Sequence, residues 1–360
     1  MSKHIKLPKP DILIVLIILA ACLGLFFPAH GWFAEAFSAA TKVAIALLFF
    51  LYGARLSTAE ALAGLKHWRL HLTILAFTFV IYPLIGLAIA PVHSALPAGM
   101  YAGILYLTLV PSTVQSSVAF TSIARGNVAG AIVSASASNL IGVVATPLLV
   151  MLLMSHGGPF GLLEAALNGA TATPGTSGAA ATPGTSGAAG PTGAGGIVID
   201  GQVFLDIAIQ LLLPFLLGQL LRKWVAGVAA NKATKSVDRG SIAMVVYSAF
   251  SAGMISGVWQ TVTVAQIVGL TVFSAVLVVA MLTLTRVVAG WLGFDRADRI
   301  AIEFCGSKKS LATGLPMAAV IFAGTDISLL ILPLMIYHQV QLMICSWLAS
   351  RYGAQAVATA

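Results

Sequence analysis

The segment Ile302-Glu303-Phe304-Cys305-Gly306-Ser307-Lys308-Lys309-Ser310 sets one carboxylate and two ammonium groups close together. The surrounding stretch, Arg299 to Gly324, is otherwise too apolar for a loop. A charge at membrane depth costs from about 2.5 kcal/mol upward, so such residues usually mark an ion or substrate path. Gly306, Gly314 and Pro316 point to an interrupted helix, and interrupted helices near the bilayer midplane are where secondary transporters bind ions and solutes. A second polar run, Pro111-Ser112-Thr113-Val114-Gln115-Ser116-Ser117, breaks another apolar stretch. Weaker polar sets are Ser134, Ser136, Ser138 and Asn139, and His338, Gln339 and Gln341.

The elements that must carry these groups are membrane helices. Apolar residues make up 59% of the chain and charged residues 8%, against roughly a quarter charged in soluble proteins. The expected spans are 11–27, 34–54, 70–90, 99–124, 127–154, 200–221, 240–258, 263–292, 299–324 and 326–349. The net charge of +8 comes from residues scattered over short loops, which argues against a nucleic-acid partner and makes the lipid bilayer the surrounding medium. Cys22, Cys305 and Cys345 all lie in apolar segments and show neither a disulfide framework nor a zinc spacing. Lys3, Lys6 and Lys9 before the first apolar run imitate a signal peptide; the length of that run favours a retained helix.

Lys and Arg fall in alternate loops: Lys3, Lys6 and Lys9; Arg55, Lys66 and Arg69; Arg125; Arg222 to Arg239; Arg286, Arg296 and Arg299; and Arg351. Lys42 is the exception. The positive-inside rule then places both termini in the cytoplasm, which requires an even number of spans. Residues 155–199 hold no Lys or Arg, and Ala172–Ala180 repeats unchanged as Ala181–Ala189. That composition suits an extracytoplasmic low-complexity linker. It divides the chain into 1–154 and 200–360, five spans each. An odd number of spans per half lets the halves form inverted repeats, with the interrupted helix penultimate in each.

The chain resembles the bile acid:sodium symporter family over nearly its whole length outside 155–199, and within it the branch related to solute carrier family ten, member seven. The residues that carry the resemblance are Phe50–Ser57, His67-Trp68-Arg69-Leu70, Val110–Val118, Glu303–Pro316 and Tyr337–Leu342. The resemblance implies an all-α polytopic protein with ten transmembrane helices as two inverted five-helix repeats. It also implies a panel domain, and a core domain in which broken spans 4 and 9 cross. Bacterial members of this kind reside in the inner (plasma) membrane. The resemblance matches Glu303 and Ser116 to sodium ligands, and places Ser117 where bile-acid-type members carry an asparagine. Ser307 and Lys308 stand at later ligand positions, and Thr78 where a glutamine helps hold a second sodium.

Sodium is a hard cation that prefers carboxylate, carbonyl and hydroxyl oxygen. Glu303, Ser116, Ser117 and Ser307, with Ser138 and Asn139 nearby, supply that set, so a bound sodium ion is the one cofactor-like group the sequence admits. Lys308 and Lys309 complicate it, because a fixed ammonium offsets a carboxylate or stands in for a cation. One lysine is expected to pair with Glu303, and the other to reach an anionic substrate or snorkel to water, with Gln115 and His338 as further polar contacts. Two sodium ions beside two lysines would leave a large unbalanced charge, so at most one sodium is expected.

Each candidate has a plainer reading. Glu303 can be an interfacial acid beside Arg296, Asp298 and Arg299; the polar run after Pro111 can satisfy freed backbone groups; His338 can be a packing histidine. The function expected is a secondary transporter of a small organic anion, coupled to sodium or protons. The alternative is a membrane regulator of ion homeostasis that carries no solute. An intramembrane enzyme ranks last, since no Ser/His/Asp constellation or metal set is visible.

Overall fold

The computed structural model describes residues 12–55, 67–89, 96–154, 208–231, 234–323 and 325–358. Lys3, Lys6, Lys9, Leu56, Ser57, Lys66, Lys232, Asp206 and the 155–199 linker lie outside the described residues. Among the described residues all regular structure is helical.

The helices are α1 Ile12–Phe26, α2 Gly31–Arg55, α3 Trp68–Ala88, α4 Ala98–Leu109, α5 Gln115–Ile123 and α6 Val128–Met154. A π turn, Ala208–Leu212, runs into Leu213–Leu220 to form α7. Then follow α8 Arg222–Ala229, α9 Thr234–Ile255, α10 Val264–Trp291, α11 Arg296–Gly306, α12 Leu311–Ile321 and α13 Ser328–Ala358. Of those described, α2, α3, α6, α10 and α13 are individually long and apolar enough to cross a membrane. Their outward faces stay apolar, as Val268, Val272 and Val276 of α10 show, while polar Thr78, Ser138 and Gln341 are fully buried. Lipid outside and polar groups inside is the arrangement that a bilayer solvent selects.

Two sequence signals shape the spans. In α3 and α7 a π turn stands immediately before Tyr82-Pro83 and Leu213-Pro214. Proline lacks the N–H that the preceding turn needs, and the widened turn relieves its ring from the carbonyls behind it. The expected loop after residue 221 is in part a helix: α8 bends 102° away from α7. Val225 packs on the Leu51, Ala54 and Ala229 cluster while Trp224 and Val228 stay exposed, the pattern of a helix lying in the interface. The last helix continues to Ala358, beyond the expected 349.

The helices pack in two groups. α1 and α2 lie against α7 and α9, while α3 to α6 pack with α10 to α13. The groups meet where α9 runs along α12 and α13. At the α2–α7 crossing a Cβ on Gly53 would strike the carbonyl of Phe215, and one on Gly218 that of Phe50. Only glycine permits this approach from both sides. One end of the bundle gathers Arg55, which bonds Ala229 O at 2.8 Å and Asp238 at 2.7 Å, Arg69, which bonds Leu292 O at 2.9 Å, and Asn127, which bonds Asp298 at 2.7 Å.

Candidate functional site

Two helix breaks face each other in the core. The chain leaves helix after Leu109 and resumes at Gln115; it leaves again after Gly306 and resumes at Leu311. Pro111 forces the first break, because its ring disfavours helical backbone at the preceding residue, and Val110 is extended at φ −75°, ψ 155°. At the second break Ser310, at φ −86°, ψ 113°, caps α12 by accepting from Thr313 N at 3.2 Å.

A broken helix in a dry core exposes carbonyls that must find donors, and here they do. Around the first break, Leu109 O accepts from Thr146 Oγ1 at 2.9 Å, Pro111 O from Ser310 N at 2.8 Å, and Ser112 O from Asn139 Nδ2 at 2.7 Å. Around the second, Phe304 O accepts from Ser117 Oγ at 3.1 Å and Cys305 O from Ser112 Oγ at 2.6 Å. Ser307 O is reached by the Tyr82 hydroxyl at 2.5 Å and that of Tyr337 at 3.0 Å. Gln341 forks onto the backbone of Lys309, accepting from its N at 3.0 Å and donating to its O at 2.8 Å. The crossing is thus sewn together by side chains from α3, α5, α6 and α13.

The two lysines, both fully buried, meet different surroundings. Lys309 Nζ donates to the carbonyls of Thr78 at 2.9 Å, Thr108 at 2.8 Å and Val110 at 2.8 Å, and lies 4.1 Å from the Tyr82 ring centre. Lys308 Nζ has no hydrogen-bond partner among the described residues. It lies 3.8 Å from the Phe120 ring centre and 5.4 Å from that of Phe304, a cation–π seat.

Glu303 pairs with neither lysine, and that expectation is corrected. Its Oε1 accepts from Tyr352 Oη at 3.0 Å, and Oε2 lies 3.6 Å from Arg286 Nη1. Tyr352 also bonds Arg286. α10 and the long last helix bring these partners to Glu303, and an ion pair with a half-exposed arginine needs less desolvation than one with a buried lysine.

The other expected site residues are distributed as follows. Ser116 and Ser117 both bond Thr113 Oγ1, at 2.6 and 3.0 Å, so three hydroxyls gather at the start of α5. No hydrogen bond joins them to the Glu303 carboxylate among the described residues. Ser307 Oγ turns back to Glu303 O at 2.5 Å. Ser138 Oγ accepts from Ser112 N at 3.0 Å, and Asn139 Oδ1 accepts from Thr313 at 2.6 Å; these two brace the first break. Gln115 is exposed at the first turn of α5. His338 Nδ1 lies 2.8 Å from Gln341 Nε2, so it touches the crossing through Gln341.

Sequence reasoning left several residues of the crossing without a role: Tyr82, Ser112, Phe120, Arg286, Gln341 and Tyr352. Polarity had singled out Gln341, but backbone clamping leaves no spacing signature. Separately, a cavity of about 270 Å³ opens between α2, α9 and the end of α12, with Thr41, Lys42, Ser248 and Ser251 in its wall.

A model of the SBF-like CPA transporter family matches residues 11–354. The chain is 46% identical to a Pseudomonas aeruginosa relative named "Uncharacterized protein PA2026", over 96% of this chain and 93% of that one. It is 42% identical to "Putative symporter YfeH" of Escherichia coli, over 94% and 92%. It is 27% identical to "Sodium/bile acid cotransporter 7" of Xenopus tropicalis, over 95% and 92%.

Proposed function

The chain belongs to the SBF-like CPA transporter family, and from that premise we propose that it is a secondary active transporter of a small organic anion, coupled to protons or to at most one sodium ion. The observation that carries this reading is the crossing of two helix breaks, bonded through Ser310 N to Pro111 O and Ser112 Oγ to Cys305 O. Such a crossing brings two half-helix ends to one place at membrane depth, where carbonyl ends favour a cation and amide ends an anion. The names of the symporter and cotransporter relatives agree with it.

In this reading Lys308 is the substrate's counter-charge. A buried ammonium without a hydrogen-bond partner is costly, and an anion docking against it removes that cost. Glu303 and the hydroxyls of Thr113, Ser116 and Ser117 are the coupling groups. The proposed architecture is ten spans in two inverted repeats, 1–154 and 200–360, in a bacterial plasma membrane. The termini lie in the cytoplasm, on the side of Arg55, Arg69 and Arg299, with 155–199 opposite. A reporter fused at residue 180 should register outside; a cytoplasmic signal there would overturn the topology.

Function is tested by reconstituting the protein in liposomes, with labelled taurocholate as the first organic-anion probe followed by smaller carboxylates and sulfates. Imposed sodium and pH gradients are varied separately. Concentrative uptake of at least one anion, lost in Lys308→Met, is expected. Folded protein that moves none of them under either gradient would refute the reading. Steep sodium dependence with a Hill coefficient near two, indifferent to Lys308→Met and to pH, would refute the coupling.

A further inference from the structure

Lys309 sits in a cage whose construction can be followed from the sequence. Pro83 has no N–H, and the π turn before it pairs Tyr82 N with Phe77 O. In that wider register the partner of Thr78 O would be the nitrogen of Pro83, which carries no hydrogen. The Thr78 carbonyl is therefore left over by the backbone of α3. Thr108 O and Val110 O are left over at the end of α4, where Ser112 N, the natural partner of Thr108 O, goes to Ser138 Oγ at 3.0 Å instead. Carbonyls from two helices thus converge on one point, at the negative end of the α4 dipole. An ammonium has three N–H donors, and each finds one of these carbonyls at 2.8–2.9 Å. The fourth side is the face of Tyr82, 4.1 Å away.

Rings of backbone carbonyls in a dry protein interior are how proteins hold alkali cations. We infer that the Thr78–Thr108–Val110 carbonyl cage is a monovalent cation site, occupied permanently by the Lys309 ammonium as a tethered ion. Gln341 fixes the tether by gripping Lys309 at N and O. The N···O distances suit an ion of ammonium or potassium size; sodium would have to draw the carbonyls inward. Removing the side chain uncovers the site: Lys309→Ala leaves the carbonyls, the negative helix end and an ion-sized void, which a free potassium, ammonium or sodium ion fills. Under the transporter reading, on which only this consequence rests, no free coupling ion uses the cage in the native protein.

The experiment uses the full chain purified in detergent. Thermal unfolding is followed in choline, sodium, potassium and ammonium chloride at constant ionic strength. The native protein should unfold at the same temperature in choline, potassium and ammonium; a gain in sodium alone would report the coupling groups around Glu303 and not the cage. Lys309→Ala should unfold earlier in choline and regain several degrees, saturably, in at least one of the smaller cations, beyond any gain of the native protein in the same salt. Lys309→Met, which fills the channel without a charge, should be destabilised and show no such rescue. If Lys309→Ala can be recovered only from a potassium-containing preparation, exchange into choline must unfold it. A Lys309→Ala midpoint identical in all four salts shows that the lysine is a structural staple and overturns the inference. Saturable stabilisation of the native protein by potassium or ammonium, unchanged by Lys309→Ala, overturns it as well. Neither result requires transport, so anion uptake by the native protein would leave the transporter reading standing.

Discussion

Replacing Gln341 by Leu removes the fork that holds the second helix break. The amide makes two bonds to the Lys309 backbone, 3.0 Å to N and 2.8 Å to O, and is fully buried. Without it, one backbone donor and one acceptor are stranded where lipid and packed side chains admit no water. A buried unsatisfied group costs about 1–3 kcal/mol, so two cost roughly 2–6 kcal/mol, offset slightly by the added apolar contact of Leu. The chain supplies its own reporter, since Cys305 and Cys345 are free and buried. In a Cys22→Ala background, which removes the exposed thiol, a thiol-reactive dye reports unfolding directly. The Leu midpoint is expected far below the native one. A Leu variant within about 0.5 kcal/mol of native, the range of a neutral surface change, would refute the accounting of the break.

Lys308→Met should separate stability from function. It exchanges a buried charge that has no hydrogen-bond partner for an apolar chain of similar volume, which removes the desolvation cost of the ammonium. The midpoint should rise while anion uptake is lost, and a fall in midpoint would show that the cation–π seat outweighs desolvation. Tyr352→Phe removes the donor to Glu303 Oε1; a loss of about 1–3 kcal/mol is expected, and an unchanged midpoint would show that Arg286 alone satisfies the acid. Arg55→Ala should cost more than Asp238→Ala. The arginine also bonds Ala229 O and Thr234, both at 2.8 Å, and these bonds survive loss of the aspartate; equal effects in denaturation curves would contradict this.

The breaks were legible because their causes are residue types. Pro111 cannot continue a helix, and Gly306 before a polar run weakens one. The long helices followed from apolar length alone: 127–154 was expected and Val128–Met154 is found, and 263–292 is Val264–Trp291. What stayed hidden was partner choice. Glu303 lies among lysines in the sequence, yet its partners come from residues 286 and 352. Helix packing, which single-sequence periodicity does not encode, brings those residues there. The amphipathic helix α8 gives no span signal because its two turns are too short to cross a bilayer and its basic residues mark a connection.

Thr78 shows how side-chain logic can misdirect. As a replacement for glutamine, its hydroxyl is the natural group to consider, but Thr78 Oγ1 is spent on Ile74 O at 2.8 Å, within its own helix. The group that matters is its carbonyl, and any residue type would provide one. What makes that carbonyl available is Pro83, five positions along, through the π turn. The same point separates the two lysines. Adjacent in sequence and equally buried, Lys308 and Lys309 are indistinguishable by composition, by hydropathy and by cost of burial. In the non-helical stretch between α11 and α12 their side chains meet different surroundings. One side holds the orphaned carbonyls of α3 and α4, the other the rings of Phe120 and Phe304. A lysine met by three oxygens is compensated in place, and one met by two rings keeps its N–H donors unpaired. Exchanging the surroundings would exchange the roles, so these roles belong to the crossing and not to the residue type.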